Sequence, residues 1–396
     1  MKIKKTDIYF LLLFLENYFF FSSNAAINLL PPYLEKLGAS HAFTGFFMNI
    51  NSLTLVVAVV LFSHYIPRLD RKRTLNTVFF ISMVANFIMF IFHNNLHVLA
   101  VLRFAASFAY LFGFTMHANM AFELIPRHRR AGGIALFGLS GVFSNPTGAV
   151  LGELIINNFS YRGLFVLAFC FSTGAFFLSM FIREGVASVT ERSSRNFFSI
   201  LMRKGSRSLY LYGFLLGGAF STFATFLPGH SKASLGFANL SYFFVSHGVV
   251  SIVMRIFFNK WMDRLRPSLL VSVGLFSASI AMFVSLNLVA YNQLIISGLF
   301  YGLGHSILYP LLGTLIIHTG SDGLKDTLNN AYIASYTLGC VGITTLLGVL
   351  ADLSDLKYVF LVKGIVLFVN SLTALYFIRK IHQQRFGVCP AVAEEE

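Results

Sequence analysis

Twelve separate runs of about twenty mainly apolar residues dominate this chain. Wound into an α-helix, such a run satisfies its own backbone hydrogen bonds and is long enough to cross the ~30 Å hydrocarbon layer. The runs cover roughly residues 8–30, 43–66, 74–93, 97–122, 132–156, 162–182, 208–228, 238–261, 268–289, 291–317, 328–352 and 356–379. Only 12% of the 396 residues are charged, against 56% hydrophobic, and the mean hydropathy is +0.72. A soluble domain carries about 25% charged residues. A chain this poor in charge cannot cover a soluble surface. A water-soluble enzyme, a disordered protein and a free nucleic-acid binder are excluded, and a polytopic membrane protein remains.

The start, MKIKK followed by an apolar run, has the outline of a signal peptide. The run continues past Glu16 without a small-residue cleavage pattern, so it reads as the first span. Net charge is +14, and the basic excess has an ordinary source in such a protein, because Lys and Arg collect on the cytoplasmic side. With the N-terminus inside, 23 of the 30 Lys and Arg fall in cytoplasmic segments and four outside. Both termini are therefore expected in the cytoplasm. Cys170, Cys340 and Cys389 show no metal or disulfide spacing. The expectation is no cofactor, no metal and no nucleic-acid partner.

The longest polar stretch divides the chain in two. It gives an N-terminal six-helix bundle at 1–182, a cytoplasmic central loop at 183–207, a C-terminal six-helix bundle at 208–379 and a cytoplasmic tail at 380–396. The halves look duplicated. HYIPRLDRK follows span two and KWMDRLRP follows span eight, while VLGEL ends span five and LLGVL ends span eleven. Ser63 and Asn259 are 196 positions apart, and so are Gly152 and Gly348. The expected fold is all-α, with twelve transmembrane helices in two pseudo-symmetric bundles. Six-plus-six repeats of this kind place a substrate site at the repeat interface near the midplane.

The loop after span two reads Ser63-His64-Tyr65-Ile66-Pro67-Arg68-Leu69-Asp70-Arg71-Lys72, and the loop after span eight keeps Asp263-Arg264. Span four contains Arg103-Phe-Ala-Ala-Ser107, and span five contains Gly141-Val-Phe-Ser-Asn145-Pro146-Thr-Gly148-Ala149. The segment Leu30 to Ser40 reads LPPYLEKLGAS. In order, spacing and placement these motifs resemble the major facilitator superfamily, over essentially the whole chain, and most of all its bacterial twelve-helix proton-coupled efflux members. Arg68, Arg71 and Lys72 match the family's G-x-x-x-D-R-x-G-R-K signature, while Ser63, Pro67 and Asp70 depart from it. Ser107 and Asn145 stand where the family's span-four and span-five motifs have Gly. The resemblance implies gating roles for Arg68, Arg71, Lys72, Asp263 and Arg264, whose cytoplasmic salt bridges would favour the outward-facing state. It implies gate or loop-network roles for Glu123 and Glu153. Pro146 and Gly148 soften span five, which suits a helix that repacks between states.

Ionisable residues inside a span are costly and usually face a cavity or a partner. Glu16 is the leading proton-coupling candidate, with a helix contact or snorkelling as the alternative; Arg103 is its counter-charge, or else a structural arginine bonded to carbonyls; His305 is a further proton carrier, or else a satisfied packing group. Arg103 is expected to find Glu16, an acceptor on another helix, or an anionic substrate. Candidate substrate contacts are Asn24 and Asn28, on one face of span one, with His117, Asn145, Tyr309 and Lys363. The expected function is secondary active transport of a small organic molecule by alternating access, in the form of proton-coupled efflux antiport. A proton-coupled importer or exporter of a metabolite, sugar or siderophore is the open alternative, and a non-transporting membrane receptor is a third. No HExxH, nucleophile pairing or phosphate loop suggests an enzyme. The expected partners are substrate, protons and the lipid bilayer, for a monomer in a bacterial inner membrane.

Overall fold

The computed structural model describes residues 5–62, 69–125, 130–182, 207–237, 240–258, 265–320 and 325–386. Arg68, Asp263, Arg264 and nearly all of the central loop lie outside these residues, and for Glu123 the backbone alone is described. The described residues are helical with no strand: α1 (Lys5–Ala25), α2 (Pro31–Lys36), α3 (His41–Met48), α4 (Ile50–Phe62), α5 (Arg71–Ile91), α6 (Leu96–Leu124), α7 (Arg130–Asn158), α8 (Arg162–Phe181), α9 (Arg207–Leu235), α10 (Ser241–Val253), α11 (Pro267–Val284), α12 (Tyr291–Ile317), α13 (Lys325–Leu353) and α14 (Leu356–Phe386).

Nine of the spans are long and apolar enough to cross a membrane among the described residues. The other three expected runs have local reasons for differing. The second run divides at Asn49, whose backbone leaves the helical line between α3 and α4 and whose amide bonds back to the Gly45 carbonyl at 2.8 Å. The eighth is α10 continued by a π-helical turn, Met254–Phe258. The fifth is α7, a 29-residue helix with Pro146 inside it, whose first turns include side chains outside the description.

Local chemistry sets the helix ends. A 3-10 turn at Ala26–Leu29 closes α1, and Pro31 opens α2 at a position where the missing N–H costs nothing. Gly38 takes φ +91°, a conformation glycine adopts without strain, and turns the chain into α3. Ser40 then caps α3 by accepting from the Phe43 N–H at 3.1 Å. Asp70 caps α5 through the Arg73 N–H at 3.0 Å, so Arg71 and Lys72 sit in the first turn of that helix.

The helices form two halves, α1–α8 and α9–α14, that pack differently at their two ends. At the end away from the first residues of α1, here the far end, a single apolar core includes Leu29, Leu34, Phe47 and Phe165 of the first half with Phe223, Leu227, Phe243 and Phe360 of the second. Toward the other end, Leu13, Phe79, Met116 and Phe137 make a core within the first half alone. Met254, Leu270 and Ile307 make another within the second. The halves are thus fused by apolar packing at the far end. Helix α9 is the centre of the second half: 83% of its apolar window is buried, against 39–50% for the other eight spans.

Small residues let the helices touch. A Cβ added at Gly217 would lie 1.9 Å from the Tyr336 carbonyl oxygen, and one at Gly339 would lie 1.9 Å from that of Phe214. Close approach of this kind is how helices associate in lipid, where burial of apolar surface drives little. Across the halves, Gly45 meets the Thr344 backbone and Gly348 meets Ala42. Because backbone cannot yield as a side chain does, Gly339→Val is expected to lower stability by ~1–3 kcal/mol or more. Thermal unfolding of the detergent-purified variant measures it, and a wild-type melting curve would refute the packing account.

Candidate functional site

Polar side chains gather where the halves meet. From α1, Asn24 Oδ1 accepts from Asn51 Nδ2 of α4 at 2.7 Å and from Arg103 Nη1 of α6 at 3.3 Å. Asn28, one turn further along α1, donates to Asn145 Oδ1 of α7 at 3.4 Å. Asn24, Asn28 and Asn145 remain partly exposed inside the bundle, whereas Arg103 is buried and its Nε has no partner. Facing them is an aromatic cluster on α12 and α13. His305 stacks on Tyr309 with ring centroids 5.5 Å apart and lies 3.4 Å from the Tyr336 hydroxyl. Tyr332 donates to the Tyr309 carbonyl at 2.9 Å. His247 of α10 packs 5.4 Å from His305, ring to ring. Tyr110 of α6 and Ile333 of α13 pack against the same buried pair, Leu55 and Leu111, which brings the two halves together here. Lys363 of α14 is 2% exposed, and its Nζ has no hydrogen-bond partner among the described residues.

Glu16 is elsewhere. It is fully buried, with Oε2 3.2 Å from Nε2 of His117, an equally buried residue of α6. Among the described residues, no other polar group bonds the carboxylate oxygens or the ring nitrogens of the pair. The rings of Phe20 and Phe79 cover His117, at 6.0 and 5.6 Å between centroids. The expected Glu16–Arg103 pair is therefore not formed: Arg103 bonds Asn24, and His117 faces Glu16 instead of the polar strip. Both pairings follow from the cost of an isolated charge in an apolar core.

The far end is closed by two carboxylates that each cross between halves. Glu153, at the end of α7, accepts from the Ser241 N–H at 2.6 Å and from its hydroxyl, at the start of α10. Asp352, at the end of α13, accepts from the N–H groups of His41 and Ala42 at 2.6 and 3.0 Å, at the start of α3. A helix N-terminus presents free N–H groups and the positive end of the helix dipole, so a carboxylate satisfies both. The two clasps join spans five to eight and eleven to two, which are equivalent under the expected duplication. Pro146 adds an apolar contact on the same α7–α10 line, its ring 3.1 Å from where a Cβ on Gly248 would lie. Gly148 lets α7 touch α1, since its Cβ would sit 2.5 Å from that of Ala25. Near the start of α3, His41 Nδ1 lies 3.0 Å from Glu35 Oε1.

Sequence reading missed Asn51, Tyr110, Tyr332, Tyr336 and Asp352. The signal for Tyr332 and Tyr336 was available: they lie four apart, hence on one helix face.

The sequence pattern of the Major Facilitator Superfamily matches residues 12–339 and 244–387. The chain belongs to the major facilitator superfamily. Membership makes it a membrane transporter, not an enzyme. It is 24% identical over 383 residues to the staphylopine export protein of Staphylococcus aureus (strain Mu50 / ATCC 700699), covering 91% of this chain and 94% of that one. Its fold matches the crystal structure of the nucleoside transporter NupG with TM-score 0.75 at 13% identity, over 94% and 99% of the two chains. It matches a POT family transporter in complex with 5-aminolevulinic acid with TM-score 0.77 at 14% identity, over 95% and 96%. A bacterial homologue of the lysosomal transporter Spinster, inward-facing and unoccupied, matches with TM-score 0.74 at 11% identity, over 98% and 100%.

In this superfamily member the far-end clasps carry a pH dependence. The hydrogen bond to Glu35 and the charges of Glu35 and Asp352 hold the His41 imidazole above its ordinary value, against the opposing effect of burial. A raised pKa means that the contribution of protonated His41 is complete below about pH 6.5 and is lost as pH rises through the raised value. Spin labels at the exposed positions Phe159 and Val289, one on each half, report the far-end separation. Asp352→Asn is expected to increase the population with long distances, and wild type to do so as pH rises from 6 to 8. Identical distance distributions throughout would remove both clasp and titration from the gate.

Proposed function

We propose that the protein is a proton-coupled exporter of a small polar organic molecule, working by alternating access between its two halves. The Glu16–His117 pair carries this reading. A carboxyl and an imidazole 3.2 Å apart, shut into aromatic packing, can share one proton as a neutral pair, and loss of that proton leaves a negative charge in an apolar core, which links proton occupancy to the packing around it. The pair lies on α1 and α6, the helices that also supply Asn24 and Arg103. A proton taken up at Glu16 can thus alter how those helices present the polar strip. Export is supported by the staphylopine export protein, to which this chain is similar along nearly its whole length. Import of a metabolite, sugar or siderophore would use the same parts with the gradients reversed.

The proposal includes twelve spans in two bundles, 1–182 and 208–379, with both termini in the cytoplasm. The far end then faces outward, and a monomer sits in a bacterial inner membrane. The 23-to-4 distribution of Lys and Arg supports that orientation.

Purified protein in liposomes, given staphylopine and a dye panel under an imposed pH gradient, tests the reading. Gradient-driven accumulation of at least one compound is expected in wild type. Glu16→Gln is expected to abolish that accumulation while leaving exchange of the same compound at equal pH on both sides. Full gradient-driven transport by Glu16→Gln would remove the pair from coupling. Transport that ignores the gradient in wild type would remove proton coupling altogether.

A further inference from the structure

We infer that the transported molecule carries a planar aromatic ring with an amide-like edge, a hydrogen-bond donor beside an acceptor. Asn28 and Asn145 of the first half read that edge, and Tyr309 and Tyr336 of the second hold the ring. The inference rests on the transport reading above and names the substrate class of that same site.

The amide pair is incomplete. Asn28 Nδ2 donates to Asn145 Oδ1 at 3.4 Å, and among the described residues neither side chain has another hydrogen bond. Whichever way the two carboxamides are turned, one carbonyl and one amino group are left over, side by side. Both residues are partly exposed within the bundle, so a ligand can reach them. A primary amide or a lactam offers the matching edge, an acceptor next to a donor. A lone ion of either sign matches half of it.

The opposite wall is aromatic. Helix α9 packs against α12, α13 and α14 of its own half and against α2 and α3 of the first. From Tyr212 to Ser231 its residues are buried except Phe214 and Phe220, so the surface that Phe220 keeps opens inside the bundle, away from lipid. The ring of His305 lies 6.0 Å from that of Phe220 and stacks on Tyr309, and His305, Tyr309 and Tyr336 are likewise partly exposed. The rings of Tyr309 and Tyr336 stand 5.4 Å apart at 83°. In that corner a flat ring meets a face on one side and an edge on the other, the two arrangements that aromatic pairs prefer. Two lines of direct contact join the walls. Asn145 adjoins Pro146, whose ring reaches Gly248, and the residue before Gly248, His247, packs 5.4 Å from His305. Asn24, one turn from Asn28, accepts from Asn51 at 2.7 Å; two residues before Asn51, Asn49 accepts from Ser221 at 2.6 Å, beside Phe220. Each line crosses from one half to the other, so a molecule between them touches amides and rings together.

Thermal unfolding of the full-length purified protein tests this with two aromatic amides, benzamide and 2-quinolone. Their saturated counterparts, cyclohexanecarboxamide and octahydro-2-quinolone, keep the edge and lose the aromatic ring. N,N-dimethylbenzamide and N-methyl-2-quinolone keep the ring and lose the donor. At least one aromatic amide is expected to raise the melting temperature in a saturable way, with both of its counterparts at least ten-fold weaker. Asn145→Ala and Tyr309→Leu are each expected to weaken the effect at least ten-fold, whereas Phe181→Leu, at the exposed end of α8, leaves it intact. The comparison among compounds in wild type needs no variant and stands if a variant fails to fold. Equal stabilisation by a saturated or N-methylated counterpart, or no shift with either aromatic amide, overturns the inference. A saturated amide bound as well as its aromatic counterpart, and accumulated in liposomes, sinks the inference and leaves the transport reading standing. Binding confined to the aromatic amides, with no gradient-driven transport of any compound, does the reverse.

Discussion

Inside a hydrocarbon layer there is no water to complete an unfinished hydrogen bond, and this constraint governs every polar choice in the protein. Backbone groups are closed within helices. Side-chain hydroxyls mostly return to the carbonyl three or four residues back, as Ser140, Ser144, Ser172 and Thr222 do. What cannot be closed locally is closed between helices: Asn17 to Ser140, Asn86 to Ser23 and Ser172, and Ser221 to Asn49 across the two halves. Among the described residues, the buried side chains left with an unbonded polar atom include Ser22, Thr44, Tyr301 and Thr344, the imidazoles of His117 and His247, and the cations Arg103 and Lys363.

The division of labour between the two ends follows from the same physics. Apolar packing at the far end joins residues of both halves into one core, while nearer the termini each half keeps a core of its own. Helices that meet through glycine and backbone, as α3 and α13 do at Gly45 and Gly348, are held by many weak contacts at short range. Such an interface has no single strong bond whose loss would have to be made good before the helices separate.

Much of the fold was legible in the sequence, because a span announces itself by length and apolarity alone. The internal duplication gave the expectation of two halves, and the motif order pointed to the family. Site residues were legible one at a time and not in pairs. Glu16 and Arg103 stand out as ionisable groups in apolar runs, and pairing them is the natural inference from charge. Pairing depends, however, on the rotation of each helix about its axis. On α6, Arg103 and His117 are far enough apart that one reaches Asn24 and the other Glu16. Asn49 reads as one polar residue in a long run, yet it divides that run into two helices. Asp352 carried no motif, and its role rests on a contact with a helix more than three hundred residues earlier in the chain.

The clasps that shut the far end have a property that a buried salt bridge would lack. Each one pairs a carboxylate with backbone N–H groups at the rim of the bundle, and every one of those groups can be rehydrated as soon as the rim separates. Opening therefore exchanges one set of hydrogen bonds for another of similar worth, with no stranded charge on either side. Two such exchangeable seals, placed on opposite flanks of the same rim, add little of their own to the cost of parting it, and the apolar core beneath them supplies the rest. What resists separation at this rim is therefore surface area, and the resistance grows with how much apolar packing the parting uncovers.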